Sequence, residues 1–332
     1  LDSVFGVLLL EGEMLRMKES VSVLLILVGM QGMGAGGCRT KQGNSGTVNV
    51  NTTARPTPTQ GRVEEPVKGE LTVLAEGAYG KITDTFIVVA RNAQTYAALR
   101  EFAMNSLPDL SADYFRTNIV VAAFLGQRNT GGYSVQITRV ADNRLRVSSA
   151  SPPKDAMTTQ ALTAPFKIVS VAVDENRSFA VELDALWTNE MRPYRVTSGD
   201  FTTGGGFAGR FEKLQLVGDI RIGRLGPLAT LVFDLKSTGG KKERLLQNVA
   251  TGLVAAGGEL SNAVVDAGSL VDFPRSPLGL KGSLGANGDK LSLTFESLPS
   301  NVNDGYGGQG KLEANATAPP PKKKPANIDG PM

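Results

Sequence analysis

Histidine is absent from all 332 residues. With it go the usual general base, the usual triad partner and the commonest metal ligand. Cysteine occurs once, at Cys38, which excludes an internal disulfide and any cysteine-rich zinc site. A predominance of one charge is missing too. The net charge is +3 from 35 basic and 32 acidic residues, and these are interspersed, so the electrostatic footprint of a nucleic-acid binder is not there. Aromatic residues make up only 6%. The apolar run near the start, Val21 to Val28, is shorter than the roughly 20 residues that span a bilayer.

What is abundant points to β-structure. Thirty-nine glycines and a 41% apolar content favour many short strands and turns around real cores. The length predicts about two domains. Nucleotide-type glycine motifs occur at Gly32 to Gly37, Gly204 to Gly209 and Gly305 to Gly310, but none has the strand before it and helix after it that phosphate binding requires. Ser151 and Lys154 stand at the spacing of a Ser-Lys nucleophile with Pro152 and Pro153 between them, which no helix accommodates. Asn301 to Asp304 lacks the closing glutamate of a calcium loop. No catalytic residue, metal site or cofactor is assigned, and the chain is read as a non-enzyme.

From Met17 the chain runs through Lys18, the apolar stretch Val21 to Val28 and small residues up to Cys38, the layout of a secretory signal. Residues 1–16 are expected to reflect an early start codon. Ala35, Gly36 and Gly37 before Cys38 resemble the lipobox of bacterial lipoproteins, although that family prefers a larger aliphatic residue where Ala35 stands. The resemblance implies that 1–37 is a signal peptide and that Cys38 is the acylated first residue of the mature protein, anchored in a membrane by its lipid. Ordinary secretion with a stray cysteine is the plainer alternative. Arg39 is not the aspartate that retains some lipoproteins at an inner membrane, so the expected location is the bacterial cell envelope, at the outer membrane or cell surface. Residues 38–69 are polar and predicted to form a disordered tether.

The first domain is predicted over 70–186. Its organising stretch is Asn118 to Val140. Asn118 to Phe124 is apolar on both faces and predicts an interior strand, whereas Tyr133, Val135 and Ile137 alternate with polar residues and predict a half-exposed one. Between them lies a polar, glycine-bearing loop: Gly126, Gln127, Arg128, Asn129, Thr130, Gly131, Gly132 and Tyr133. Upstream, Asn92 stands as the N-cap of one helix, with Tyr96, Leu99 and Phe102 on one face. Downstream, turns at Asp142-Asn143 and at 174–176 predict a β-meander. The expected class is mainly β with one helix, an α+β domain.

Val120 to Gly126, then Asn129-Thr130-Gly131-Gly132-Tyr133-Ser134-Val135, then Leu162 to Val169 resemble the C-terminal domain family of the protease-complex subunit PrcB, over roughly residues 85–185. The resemblance implies a non-catalytic accessory subunit that binds or stabilises an exported protease. Gly126, Thr130, Gly131, Gly132 and Tyr133 are the positions that carry over. On this reading 126–133 is the partner-binding loop, with Arg128, Asn129 and Thr130 as exposed side chains removable without loss of stability. The plainer reading is that the glycines only shape a turn and that Tyr133 belongs to the core or its rim. Asn129 to Gly132 also resembles the inhibitory loop of chagasin-type cysteine-protease inhibitors, without its proline, and a structural envelope lipoprotein without a protease partner is a further alternative.

Residues 187–200 read as a connector. Over 201–316 a second, all-β domain is predicted, a small sandwich or barrel. Its strands are expected at 211–222, 228–235, 243–253, 259–266, 268–273 and 290–298, with turns at Thr238-Gly239-Gly240 and Asn287-Gly288. Residues 317–332, with Pro319-Pro320-Pro321-Lys322-Lys323-Lys324-Pro325, read as a disordered basic tail.

Overall fold

The computed structural model describes residues 70–103, 106–174, 177–204, 211–271, 276–298 and 307–317. The signal peptide, Cys38, the tether to residue 69, the tail from 318 and the Asn301 to Asp304 segment lie outside the described residues.

The chain enters through β1 (Leu71–Gly77) and β2 (Phe86–Ala90), then α1 (Ala93–Ala103), α2 (Tyr114–Thr117) and β3 (Asn118–Phe124). It continues through the hairpin β4 (Ser134–Ala141) and β5 (Arg144–Ala150), then β6 (Phe166–Ala172), β7 (Ala180–Leu183) and α3 (Ala185–Thr188). These build three layers. One sheet has the order β1-β6-β3-β2 and the other β4-β5-β7. Ile87, Val89, Ile119, Val121 and Ala123 of the first sheet pack on Val135, Ile137, Leu145, Val147 and Val181 of the second. Tyr96, Leu99 and Phe115 of the helices cover the other face of the first sheet, against Val88, Val120, Ala122 and Ile168. Both faces of β3 are therefore covered, which is why all seven of its residues are buried.

Two expected pairings differ. β3 and β4 do not form a hairpin, because both edges of β3 are taken by β2 and β6, so the loop after β3 carries the chain across to the other sheet. Likewise β6 is occupied by β1 and β3, and β7 runs instead parallel to β5. The meander is thus replaced by a two-sheet sandwich, although the Asp142-Asn143 turn does close the β4–β5 hairpin.

The predicted N-cap is present: the Thr95 amide donates to Asn92 Oδ1 at 2.8 Å. Helix α1 buries Tyr96, Leu99 and Ala103, while Phe102 is 39% exposed. The i, i+3, i+7 spacing points Ala103 rather than Phe102 at the sheet. The structure also adds three single-turn helices, α2, α3 and α4 (Gly268–Val271), to the one predicted.

Beyond α3 come β8 (Arg192–Gly204), β9 (Glu212–Leu225), β10 (Leu228–Thr238), β11 (Leu245–Val254), β12 (Glu259–Asp266), β13 (Pro277–Leu284), β14 (Lys290–Ser297) and β15 (Gly307–Ala316). They close into an eight-stranded antiparallel barrel in the order β10-β11-β12-β13-β14-β15-β8-β9, so of sandwich and barrel it is the barrel. Its interior is filled by side chains, as an eight-stranded barrel allows. Phe201 and Phe295 meet edge to face at 5.9 Å, and Phe233 lies 6.2 Å from Phe295. Both predicted turns join hairpins, β10–β11 and β13–β14.

The stretch 187–200 is not a connector. It holds the buried Trp187 and the first nine residues of β8, from Arg192 to Asp200. Polar alternation hid the strand, since only one of its faces meets the barrel core. The strand expected at 268–273 is helical over Gly268–Val271, because the amides of Leu270 and Val271 return to Ala267 O and the Asp266 carboxylate receives the Gly268 amide at 3.2 Å.

Tyr96 pins the segment after α1 by donating its hydroxyl to Pro108 O at 2.8 Å. Burial pushes its pKa up to about 12, with Arg100 opposing. Unfolded tyrosine ionises near 10, so the neutral hydroxyl contributes stability that is complete below pH 10 and is lost as pH rises through 12. Melting temperatures measured from pH 9 to 12 are expected to fall less steeply for Tyr96→Phe than for the wild type, from a lower starting value.

Candidate functional site

The loop that carries the chain from one sheet to the other is built from its base. β3 is followed by Leu125, whose amide donates to Pro165 O at 2.8 Å and whose carbonyl accepts from Thr85 Oγ1 at 2.9 Å and from Arg128 Nη2 at 2.7 Å. One residue on, Gly126 turns the chain at φ +76°. A Cβ there would stand 2.8 Å from the Thr85 amide and 2.9 Å from Thr83 O. Gln127 then donates its amide to Thr83 O at 2.9 Å. The segment leading into β2 thus forms one wall of the loop.

Residues 159–165 form the other wall. Arg128 and Thr163 exchange backbone hydrogen bonds at 2.7 and 2.9 Å, Thr163 Oγ1 donates to Thr130 O at 3.0 Å, and the Gly131 amide donates to Thr159 O at 2.9 Å. Gly132 has φ +86°, and a Cβ on it would stand 2.9 Å from Pro152 Cβ. Gly131 is buried without a positive φ, and its added Cβ would meet the Thr159 hydroxyl.

These bonds sort the predicted residues. Gln127 and Asn129 are exposed. Arg128 is half-buried and folded back, its guanidinium on Leu125 O and 5.8 Å from the centre of the Tyr133 ring, a cation–π contact. Thr130 is half-buried, and Tyr133 packs beside the inner core of the sandwich. Of the three side chains expected to be dispensable, Arg128 is tied into the loop's own bonding, whereas the bond at Thr130 goes to its backbone carbonyl. Arg128 supplies a donor to a carbonyl at the loop base, which Thr85 Oγ1 also serves.

The same framework presents apolar residues that periodicity did not single out. Gly80 donates to Ala164 O and Ala164 to Ala78 O, each at 2.8 Å, so 78–80 lies on the far side of 159–165 from the loop. On these segments Tyr79 is 73% exposed and Leu162 61%, and Met157, just before the second, is fully exposed. Met157 and Leu162 sit in a Thr- and Pro-rich stretch without strand or helix pattern, and Tyr79 lies just after β1, so local sequence gives no sign of their exposure.

Among the described residues no group of three or more His, Cys, Asp or Glu is placed to hold a metal ion. No helix among them is long and apolar enough to cross a membrane.

With this geometry in place, comparison with known families finds that the one described as PrcB C-terminal matches residues 119–172. The match takes in nearly all of β3, the whole loop, the β4–β5 hairpin, the 159–165 wall and β6. No curated protein and no solved structure matches the chain.

Gly126→Ala and Gly132→Ala are expected to destabilise by about 1–3 kcal/mol each, from the left-handed backbone and the crowding together. Gly126 should be the worse, since its neighbours are backbone atoms that cannot rotate away. Gly131→Ala should cost less, because the Thr159 hydroxyl can turn. Urea denaturation midpoints of the three variants test this order.

Proposed function

We propose that the chain is a lipid-anchored protein of the bacterial cell envelope, and that its sandwich is a non-catalytic accessory module that binds or stabilises an exported protease through the 126–133 loop. The observation that carries this reading is the PrcB C-terminal match over 119–172, which encloses the loop and its second wall. The geometry supports it as well. A loop pinned at both walls, with Gln127 and Asn129 directed to solvent, loses little freedom on binding, and preorganisation of this kind favours affinity. The exposed Tyr79, Met157 and Leu162 add apolar surface of the kind found in the cores of protein interfaces.

The membrane part of the proposal rests on the residues before the fold. A short apolar run and small residues lead to Cys38, and a polar stretch separates Cys38 from β1. Dual or triple acylation of a cysteine gives stable anchoring, and the tether sets the sandwich off the bilayer.

Two measurements test this. The chain, captured under mild conditions from envelope extracts, is expected to bring down a serine protease. Gln127→Ala combined with Asn129→Ala should weaken that complex by about 1 kcal/mol or more, roughly fivefold in Kd, with an unchanged melting temperature. Equal affinity of the double variant would move the contact off the loop, and loss of protease activity on adding the chain would make it an inhibitor instead. Separately, labelling with a palmitate analogue should mark the wild type and not Cys38→Ala. Equal label in both would remove the anchor.

A further inference from the structure

Every open sheet presents two edges whose amides and carbonyls need partners. In the sandwich β2 is the last strand of one sheet and β7 the last of the other, and both face the barrel strand β11. The Val89 amide donates to Thr251 Oγ1 at 2.9 Å, and Thr230 Oγ1 donates to Ile87 O at 2.5 Å. The two hydroxyls lie 2.9 Å apart. Since the Thr230 proton goes to Ile87 O, the proton between the hydroxyls is that of Thr251. The chain Val89 N–H, Thr251 O–H, Thr230 O–H, Ile87 C=O therefore closes with every donor matched, and both threonines are fully buried.

A second set serves β7. The Phe179 amide donates to Asp266 Oδ2 at 2.8 Å, and Asn248 Nδ2 donates to Phe179 O at 3.0 Å and to Asp266 O at 2.9 Å. Ser178 Oγ adds a donor to Asp266 Oδ1 at 3.0 Å, and the Val181 amide reaches Asn248 Oδ1 at 3.4 Å. Here the dependence runs both ways. β11 and β12 pair only at Leu253↔Ser261 and Val254↔Leu260, so the barrel seam is open where Asn248 and Asp266 stand, and the strand end at Phe179 fills it. At the start of α1, Asn92 Nδ2 and Thr95 Oγ1 both donate to Asn262 O, at 2.7 and 3.0 Å. The apolar cores are continuous as well: Val249 belongs to the inner core of the sandwich and Leu228 to the helix-side core.

We infer that the outer face of the barrel at β10–β12 is a strand-edge binding site whose resident ligand is the chain's own β2 and β7, so that sandwich and barrel unfold as one unit. Neither part keeps its buried polar groups paired without the other, and an unpaired buried amide or carboxylate is costly. The barrel thereby has a role: it blocks two of the four sheet edges against other chains.

Amide exchange of the full-length chain under native conditions tests this. Leu293→Ala opens a cavity in β14 away from the seam, and Leu293→Val is the milder form should the first not fold. The inference expects the slowest amides of β3 and β6, such as Val121 and Val169, to lose protection by the same factor as those of β10, on the order of 100-fold for the alanine variant. A loss confined to the barrel strands would overturn it. In Thr230→Val combined with Thr251→Val, which preserves shape, exchange at Val89 is expected to rise at least about tenfold. Wild-type protection at that amide would overturn the assignment of the threonines.

Discussion

Two threonine hydroxyls, Thr230 and Thr251, stand where the outer face of a barrel meets the edge of a sheet. On most barrels the residues facing outward along a strand are wet. On β10 and β11 they are buried because β2 arrives with an amide and a carbonyl that require partners, and a hydroxyl supplies a donor and an acceptor in one small group. The placement of the sandwich follows from that match, and so does the placement of everything the sandwich carries.

The consequence reaches the loop by a short physical route. β2 is held at Ile87 and Val89, and the residues just before it, Thr83 and Thr85, form the wall on which Leu125, Gly126 and Gln127 rest. The other wall, 159–165, leads directly into β6, which is locked between β1 and β3. The loop is thus suspended between the two strands that flank β3 in its sheet, and its conformation is set by those strands more than by its own sequence. This explains why a glycine is needed at 126, where backbone approaches on the inner side, and again at 132, where Pro152 stands.

Set beside the PrcB C-terminal match, the arrangement gives the proposed accessory role a concrete form. Gln127 and Asn129 occupy the tip, Arg128 is spent inside the loop on Leu125 O and Tyr133, and Tyr79, Met157 and Leu162 lie on the adjoining segments. A recognition surface of this composition has a few polar groups at a fixed position and an apolar margin.

Much of the architecture was legible in the residues. The double-sided apolar run of Asn118 to Phe124 specified a buried strand, the alternation at Val135 and Ile137 a half-exposed one, Asn92 the cap of α1, and the 228–235 stretch a strand of the second domain, because side-chain period and turn chemistry are local properties. The mainly β class with a helix, and the glycine-bearing loop as a connection between strands, followed from the same local rules. Pairing partners did not. Nothing in β3 or β6 says that both edges will be occupied, so the meander gave way to two sheets. β8 and β15 were invisible for a related reason: with glycines and polar residues on one face and few apolar ones on the other, they are strands only because neighbours on both sides supply hydrogen bonds. The burial of Asp266, Thr230 and Thr251 was decided by tertiary structure alone. Each depends on a group more than 80 residues away in sequence, and hydrogen-bond partners at that separation leave no period in the chain.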